Sequence, residues 1–109
     1  PDLGGHDSDP AAKMAAIAKV DRAVGYLLDH LDWSRTTMMI GADHCTPVTV
    51  GDHTGDAIPV AFYGYGTRPD HVTAYGERSC AQGCLGHLVG ADVMSLLTNY
   101  TGTQHKFGA

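Results

Sequence analysis

With 109 residues, 43% of them hydrophobic, and a formal net charge of −5, the chain has room for one compact unit of ordinary soluble composition. Seven Lys and Arg dispersed against twelve Asp and Glu leave no basic surface for a phosphate backbone, so nucleic acid is excluded as a partner. No apolar run approaches the roughly 18 to 20 residues of a membrane-spanning helix and nothing has the layout of a signal peptide, so no membrane partner is expected.

The chain opens PDLGGHDSDP, with no Met ahead of Pro1 and no leading element, and reads as a piece cut from something longer. Asp2 and His6 stand four apart, a spacing that shares one face of a helix, but Gly4 and Gly5 favour a turn. A flexible loop there would let carboxylate and imidazole converge on one cation. An isolated D-x-x-x-H is most often a solvated acidic loop; what lifts this one is a short chain with seven His, of which His6, His44, His53 and His87 stand in loop-like surroundings. Asp9 then makes an N-cap with Pro10 at the first helical position, which predicts a helix to about Leu31. Met14, Ile17, Val20, Val24, Leu28 and Leu31 recur at steps of three and four, the pattern of a core-facing amphipathic helix. His30 suits the helix C-terminus through the dipole rather than as a ligand, and Trp33 with Leu31 is expected to close the helix onto a sheet.

The next stretch, TTMMIGADHCTPVTVGDH from Thr36 to His53, begins with a short apolar run that reads as a buried strand. Asp43, His44, Asp52 and His53 follow it, and the crevice past the carboxyl ends of strands is where open α/β sheets hold ligands and ions. Neighbours on a regular strand face opposite sides, so Asp43 and His44 serve one site only where the backbone leaves the pleat; otherwise each faces a different ion. Ile58 to Tyr63 reads as a second buried strand, Gly64 to Pro69 as a loop, and His71 to Tyr75 as a short edge strand. Cys80 and Cys84 lack the partners of a zinc site and read as buried or semi-buried thiols. An odd cysteine count argues for a reducing, cytoplasmic setting. The Gly-rich run around them has no P-loop Lys and Ser/Thr. Val93, Leu96, Leu97 and Tyr100 predict a last helix over Ala91 to Tyr100 that packs on the sheet and stops at Gly102, with His105, Lys106 and Phe107 in a loose tail.

Carboxylate oxygen and imidazole nitrogen together suit a borderline divalent ion such as manganese, zinc, cobalt or iron, whereas calcium prefers all-oxygen ligation. Five candidates stand in three segments: Asp2 and His6, Asp43 and His44, and His53. These are too many for one four-coordinate structural zinc, which points to two ions. Such pairs typically activate a nucleophile and hold a transferring phosphoryl group. A second ion seen only by Asp43 and His44 would need further oxygens.

The ordered set D-x-x-G-H (Asp2 to His6), A-D-H (Ala42 to His44) and H-T-x-x-x-x-P-V (His53 to Val60) resembles the C-terminal part of the 2,3-bisphosphoglycerate-independent phosphoglycerate mutases, within the alkaline phosphatase superfamily. The archaeal-type branch fits best: Asp43, His44, Thr46 and Pro47 are similar to its D-H-S-T-P run, and Gly90 to Met94 to its closing G-x-D-x-M helix. The resemblance implies an α/β fold, a partial alkaline-phosphatase-like three-layer α/β/α sandwich, with residues 1–109 a C-terminal fragment of the metal-binding domain. It implies that Asp2, His6 and His53 bind one metal and that Asp43 and His44 bind the other, manganese foremost, with magnesium, cobalt or zinc as alternatives. It implies an isomerase of glycolysis and gluconeogenesis that interconverts 2-phosphoglycerate and 3-phosphoglycerate through a phosphoserine. Cys45 stands where the motif has Ser, most simply a small-residue swap. The resemblance further implies that the family's serine nucleophile, a further metal-binding aspartate and its substrate-gripping arginines lie on earlier segments or in an inserted domain, so this chain is expected to carry metal ligands but no catalytic nucleophile. Its partners are then the phosphoglycerate in the full-length enzyme and the N-terminal remainder of the parent, or a second copy, since a partial sheet exposes an apolar face and unpaired edges. The alternatives are a phosphopentomutase-like phosphotransferase or phosphatase of the same superfamily, and a non-enzymatic metal-binding domain.

Overall fold

A computed structural model describes residues 1–105, so Lys106 and Phe107 of the expected tail lie outside the described residues. The order of elements is α1 (Asp2–His6), α2 (Pro10–His30), β1 (Thr37–Ile40), β2 (Ala61–Gly64), α3 (Glu77–Cys80) and α4 (Gly90–Tyr100). They fall into two units, the first made of Pro1–Leu31 and Ala42–Ile58, the second of Asp32–Gly41 and the chain from Pro59 onward.

In the first unit the segment expected as a turn is a helix, α1, and its two glycines serve contact rather than turning. A Cβ on Gly4 would stand 2.7 Å from the Lys13 amide nitrogen, and one on Gly5 would collide with the Thr46 carbonyl oxygen. Their bare backbones let α1 lie directly on the first turn of α2 and on Thr46. Ser8, at φ 53°, reverses the chain between the helices. The Asp9 carboxylate then accepts the Ala12 amide at 2.9 Å with Pro10 at the first helical position, as the sequence requires. At the other end His30 Nδ1 donates to the Tyr26 carbonyl at 2.7 Å and its ring stacks on Tyr26, which fixes this imidazole as a helix-terminus residue. The apolar face of α2 is present but not buried: Met14 is 65% exposed and Ile17 51%, and no residue of the helix counts as buried. Periodicity reports which side of a helix is apolar; whether that side is covered depends on what lies against it. Ala42 to Ile58 has no regular strand. It is held by a bridge in which the Thr54 amide donates to the Cys45 carbonyl, and by a turn in which the Val50 and Gly51 amides both donate to the Pro47 carbonyl.

In the second unit β1 and β2 occupy the two apolar runs and pair antiparallel, with Thr37 opposite Gly64 and Ile40 opposite Ala61. The Asp32 carboxylate accepts both the amide and the hydroxyl of Ser34, a turn that leads into β1. Trp33 lies edge-on to Tyr63 at 4.8 Å, and a Cβ on Gly64 would stand 2.8 Å from its ring, so the indole closes over the end of β2. α4 packs on β1, with Tyr100 tilted against Phe62 at 5.3 Å. Its start is held by the Asp92 carboxylate accepting the Val89 amide, and it ends at Tyr100, two residues before Gly102 at φ 71°.

The edge strand expected over His71 to Tyr75 does not form. Asp70 takes the Val72 amide at 2.8 Å and Tyr75 gives its hydroxyl to the Pro59 carbonyl, so side chains rather than a ladder organise this loop. Cys80 is half-buried, while Cys84, expected to be at least partly buried, is exposed. The result is a partial α/β domain with a small antiparallel sheet and, among the described residues, no fully buried apolar side chain. No helix among them is long and apolar enough to cross a membrane.

Candidate metal centre

Four of the five predicted ligands converge in the first unit. Asp2 and His6 lie one turn apart on α1, with His6 Nε2 3.6 Å from Asp2 Oδ1. His53, at the far end of the 42–58 segment, brings its Nε2 to 3.2 Å from His6 Nε2 and 3.8 Å from the same Asp2 oxygen. Donor atoms about 2.1 Å from one ion at tetrahedral angles stand about 3.4 Å from each other, so this triangle has the spacing of a shared coordination shell.

The hydrogen bonds behind the triangle determine which atoms face it. His6 Nδ1 is 3.1 Å from the Gly51 carbonyl, which only accepts; Nδ1 therefore carries the proton, and in the neutral ring Nε2 keeps its lone pair for the site. Gly51 can aim its carbonyl this way because it takes φ 71°, a conformation that costs glycine nothing. On the other side the His53 amide donates to the side chain of its neighbour Asp52 at 2.7 Å, a local contact that fixes the backbone at His53.

His44 stacks on His53 with ring centroids 3.7 Å apart, and suitable atoms of Asp2, His44 and His53 all fall within 4.8 Å of one another. This second grouping overlaps the first but is looser than a single tetrahedral shell. His44 is better matched to Asp43, whose Oδ2 is 3.5 Å from His44 Nε2 while its Oδ1 accepts the His44 amide. The backbone has left the pleat here, which is the condition for two neighbours to serve one site. Asp43 reaches none of the other predicted ligands among the contacts described, and its side chain is 88% exposed, so it stands at the rim.

Thr46, which sequence reasoning noticed only as part of a motif, is buried at 4% exposure among these open side chains. Its hydroxyl donates to Asp2 Oδ1 at 2.6 Å and stands 3.2 Å from His44 Nδ1, and its carbonyl accepts the Lys13 ammonium. The Thr46 hydroxyl is the leading cause holding the Asp2 carboxyl below the usual carboxylate range, partial desolvation opposes it, and the His6, His44 and His53 imidazoles add to it. Asp2 is thus kept ionised, the form a cation needs. Lys13 and Gly51 were likewise missed: no spacing rule links a lysine in α2 or a turn glycine to His6 and Thr46.

Two imidazoles of adjustable tautomer and an ionised carboxylate, aimed at one point with their orientations set from behind, fit a divalent cation. The same residues lie within a matched family: a model described as the Metalloenzyme superfamily covers residues 1–100, and the chain belongs to that superfamily. Over 108 residues it is 40% identical to the 2,3-bisphosphoglycerate-independent phosphoglycerate mutase of Thermococcus kodakarensis, and over 109 residues 43% identical to that of Methanopyrus kandleri. Each match takes in 99% of this chain and 26% of the relative. A solved protein structure from Pyrococcus horikoshii, 38% identical, matches 99% of this chain and 33% of its own at a TM-score of 0.94. The chain therefore spans about a quarter of the length of the curated relatives it matches.

Proposed function

We propose that this chain is the metal-holding C-terminal part of a cofactor-independent phosphoglycerate mutase, an isomerase that interconverts 2-phosphoglycerate and 3-phosphoglycerate. Asp2, His6 and His53 hold one divalent cation, and Asp43 and His44 contribute to a second. Manganese is the ion proposed, in keeping with a mixed oxygen and nitrogen donor set. The observation that carries the reading is the triangle of His6 Nε2, His53 Nε2 and Asp2 Oδ1, with sides of 3.2 to 3.8 Å, drawn from positions as much as 51 residues apart in a chain of a named metalloenzyme superfamily.

Bound cations supply electrostatic stabilisation to a nucleophile and to the charge on a transferring phosphoryl group. The residues of this chain contribute fixed geometry: Asp2 brings the negative charge, Gly51 holds His6 with its lone pair inward, and Asp52 accepts the His53 amide beside it. The serine that carries the phosphoryl group, and the groups that grip the substrate, belong to the rest of the parent enzyme in this reading, which is cytoplasmic. That remainder is the natural partner of the exposed α2 face, with self-association as the outcome in its absence.

Metal analysis of the purified chain after dialysis against manganese, together with a coupled mutase assay, tests the proposal. Weak but saturable manganese binding that His53→Ala abolishes, without turnover by this chain alone, is expected. No binding at any manganese concentration, or the same binding in His53→Ala, would sink it.

A further inference from the structure

Resting on that metal reading, we infer that Thr46 is a positioning residue whose single hydroxyl ties the two ligand sets together, holding the carboxylate of one and selecting the tautomer of the other. The inference follows from proton accounting. An ionised carboxylate only accepts, so the 2.6 Å contact to Asp2 Oδ1 consumes the one proton of the Thr46 hydroxyl. Toward His44, 3.2 Å away, Oγ1 is then an acceptor, and His44 Nδ1 must carry a hydrogen. The neutral His44 ring keeps its lone pair on Nε2, the atom that stands 3.5 Å from Asp43 Oδ2. One oxygen thereby sets Asp2 in the first ligand set and exposes the coordinating nitrogen of His44 in the second.

The surroundings make Thr46 rigid enough for this. It is 4% exposed, Lys13 holds its carbonyl from α2, and Gly5 of α1 packs against both its carbonyl and its methyl group. Of the two ligands it orients, the Asp2 side chain is open to solvent, and the half-buried His44 ring is otherwise held by its stacking on His53. A hydroxyl behind two ligands costs little when its own position is already determined, and loss of such partners typically lowers metal affinity by about 10- to 100-fold.

The test compares wild type with Thr46→Val, which keeps the shape and removes the hydroxyl, and Thr46→Ser, which keeps the hydroxyl and removes the methyl. Manganese affinity is read by calorimetric titration. The His44 tautomer is read in metal-free protein by long-range proton–nitrogen NMR at a pH above the imidazole range. We expect Thr46→Val to bind manganese about 10- to 100-fold more weakly, Thr46→Ser to stay close to wild type, and His44 to carry its hydrogen on Nδ1 in wild type and Thr46→Ser but not in Thr46→Val. Wild-type affinity in a folded Thr46→Val protein overturns the inference, and so does a wild-type His44 protonated on Nε2, an outcome that stands even if Thr46→Val fails to fold. Absence of manganese binding in wild type fails the metal reading instead, and the tautomer measurement still decides the role of the hydroxyl.

Discussion

Asp2 in the first unit and Asp70 in the second make an instructive pair. Both are exposed aspartates with histidines nearby, and both carboxyls lie below the usual range, yet their oxygens are used differently. Asp2 Oδ1 accepts a hydroxyl and at the same time faces two imidazole nitrogens at 3.6 and 3.8 Å. Asp70 spends one oxygen on the Val72 amide and the other on the Cys84 amide, and Gly83 beside it leaves room that a side chain's Cβ would take, at 3.0 Å from Oδ2. The first carboxylate is aimed at other electron-pair donors, an arrangement that a cation resolves; the second staples a loop. A depressed pKa marks a well-partnered carboxylate, and the identity of the partners separates a ligand from a staple.

The sharpest way to break this comparison is to remove one residue from each side. In a full-length parent enzyme His53→Ala should cost about 2 kcal/mol or more of transition-state stabilisation, a loss of at least about 30-fold in turnover by coupled assay. In the present chain the same change should abolish manganese binding. Asp70→Asn should leave manganese binding where it was, and a loss there equal to that of His53→Ala would mean that the two aspartates had been wrongly distinguished.

Backbone support for the first cluster comes next in size. Gly5→Val would force three carbons into the space held by the Thr46 carbonyl and methyl, an overpacking that costs about 1 to 3 kcal/mol, read as a lowered melting temperature. Because α1 carries both Asp2 and His6, manganese affinity should fall with it. Gly51→Ala must take φ 71°, at a cost of about 1 to 2 kcal/mol, and should weaken manganese binding through His6, whose Nδ1 depends on that carbonyl. No change in either measurement for Gly51→Ala would remove the turn from the account of the site.

The glycines of α1 also show where sequence reading reaches its limit. The bounds of α2 were legible because Asp9, Pro10 and the steps of three and four are local signals, and β1 and β2 because short apolar runs between Gly and Pro are strands. α1 was not legible: Gly4 and Gly5 lower local helix propensity, and the reason for them lies at Lys13 and Thr46, residues that no local rule connects to them. Asp2, His6, Asp43, His44 and His53 could be picked out as candidates by residue type, but the scaffold that brings four of them together was not expected. Four of them meet through α1, α2 and the bridged 42–58 segment of one unit rather than along a shared sheet. Thr46 entered only as one letter of a motif, because a threonine two residues after a histidine is commonplace; its burial and its two partners are what distinguish it.

The smallest effect concerns the staple. The amides of Cys84 and then Val72 favour ionised Asp70, with His71 adding to them, so its folded pKa lies below its value in the unfolded chain. A carboxylate shifted in this direction contributes stability above its unfolded pKa and loses that contribution as pH falls through its folded pKa. Asp2 is shifted the same way and steepens the acid side as well, so the absolute curve does not isolate either residue. The difference between wild type and Asp70→Asn does, because Asp2 is common to both. The melting temperature of wild type should drop more than that of Asp70→Asn as the solution is acidified below the ordinary carboxylate range, by a modest amount because the group is solvent-exposed. Parallel curves would mean that the 70–84 loop is held by something other than this carboxylate, and the contrast with Asp2 would then rest on the metal titrations alone.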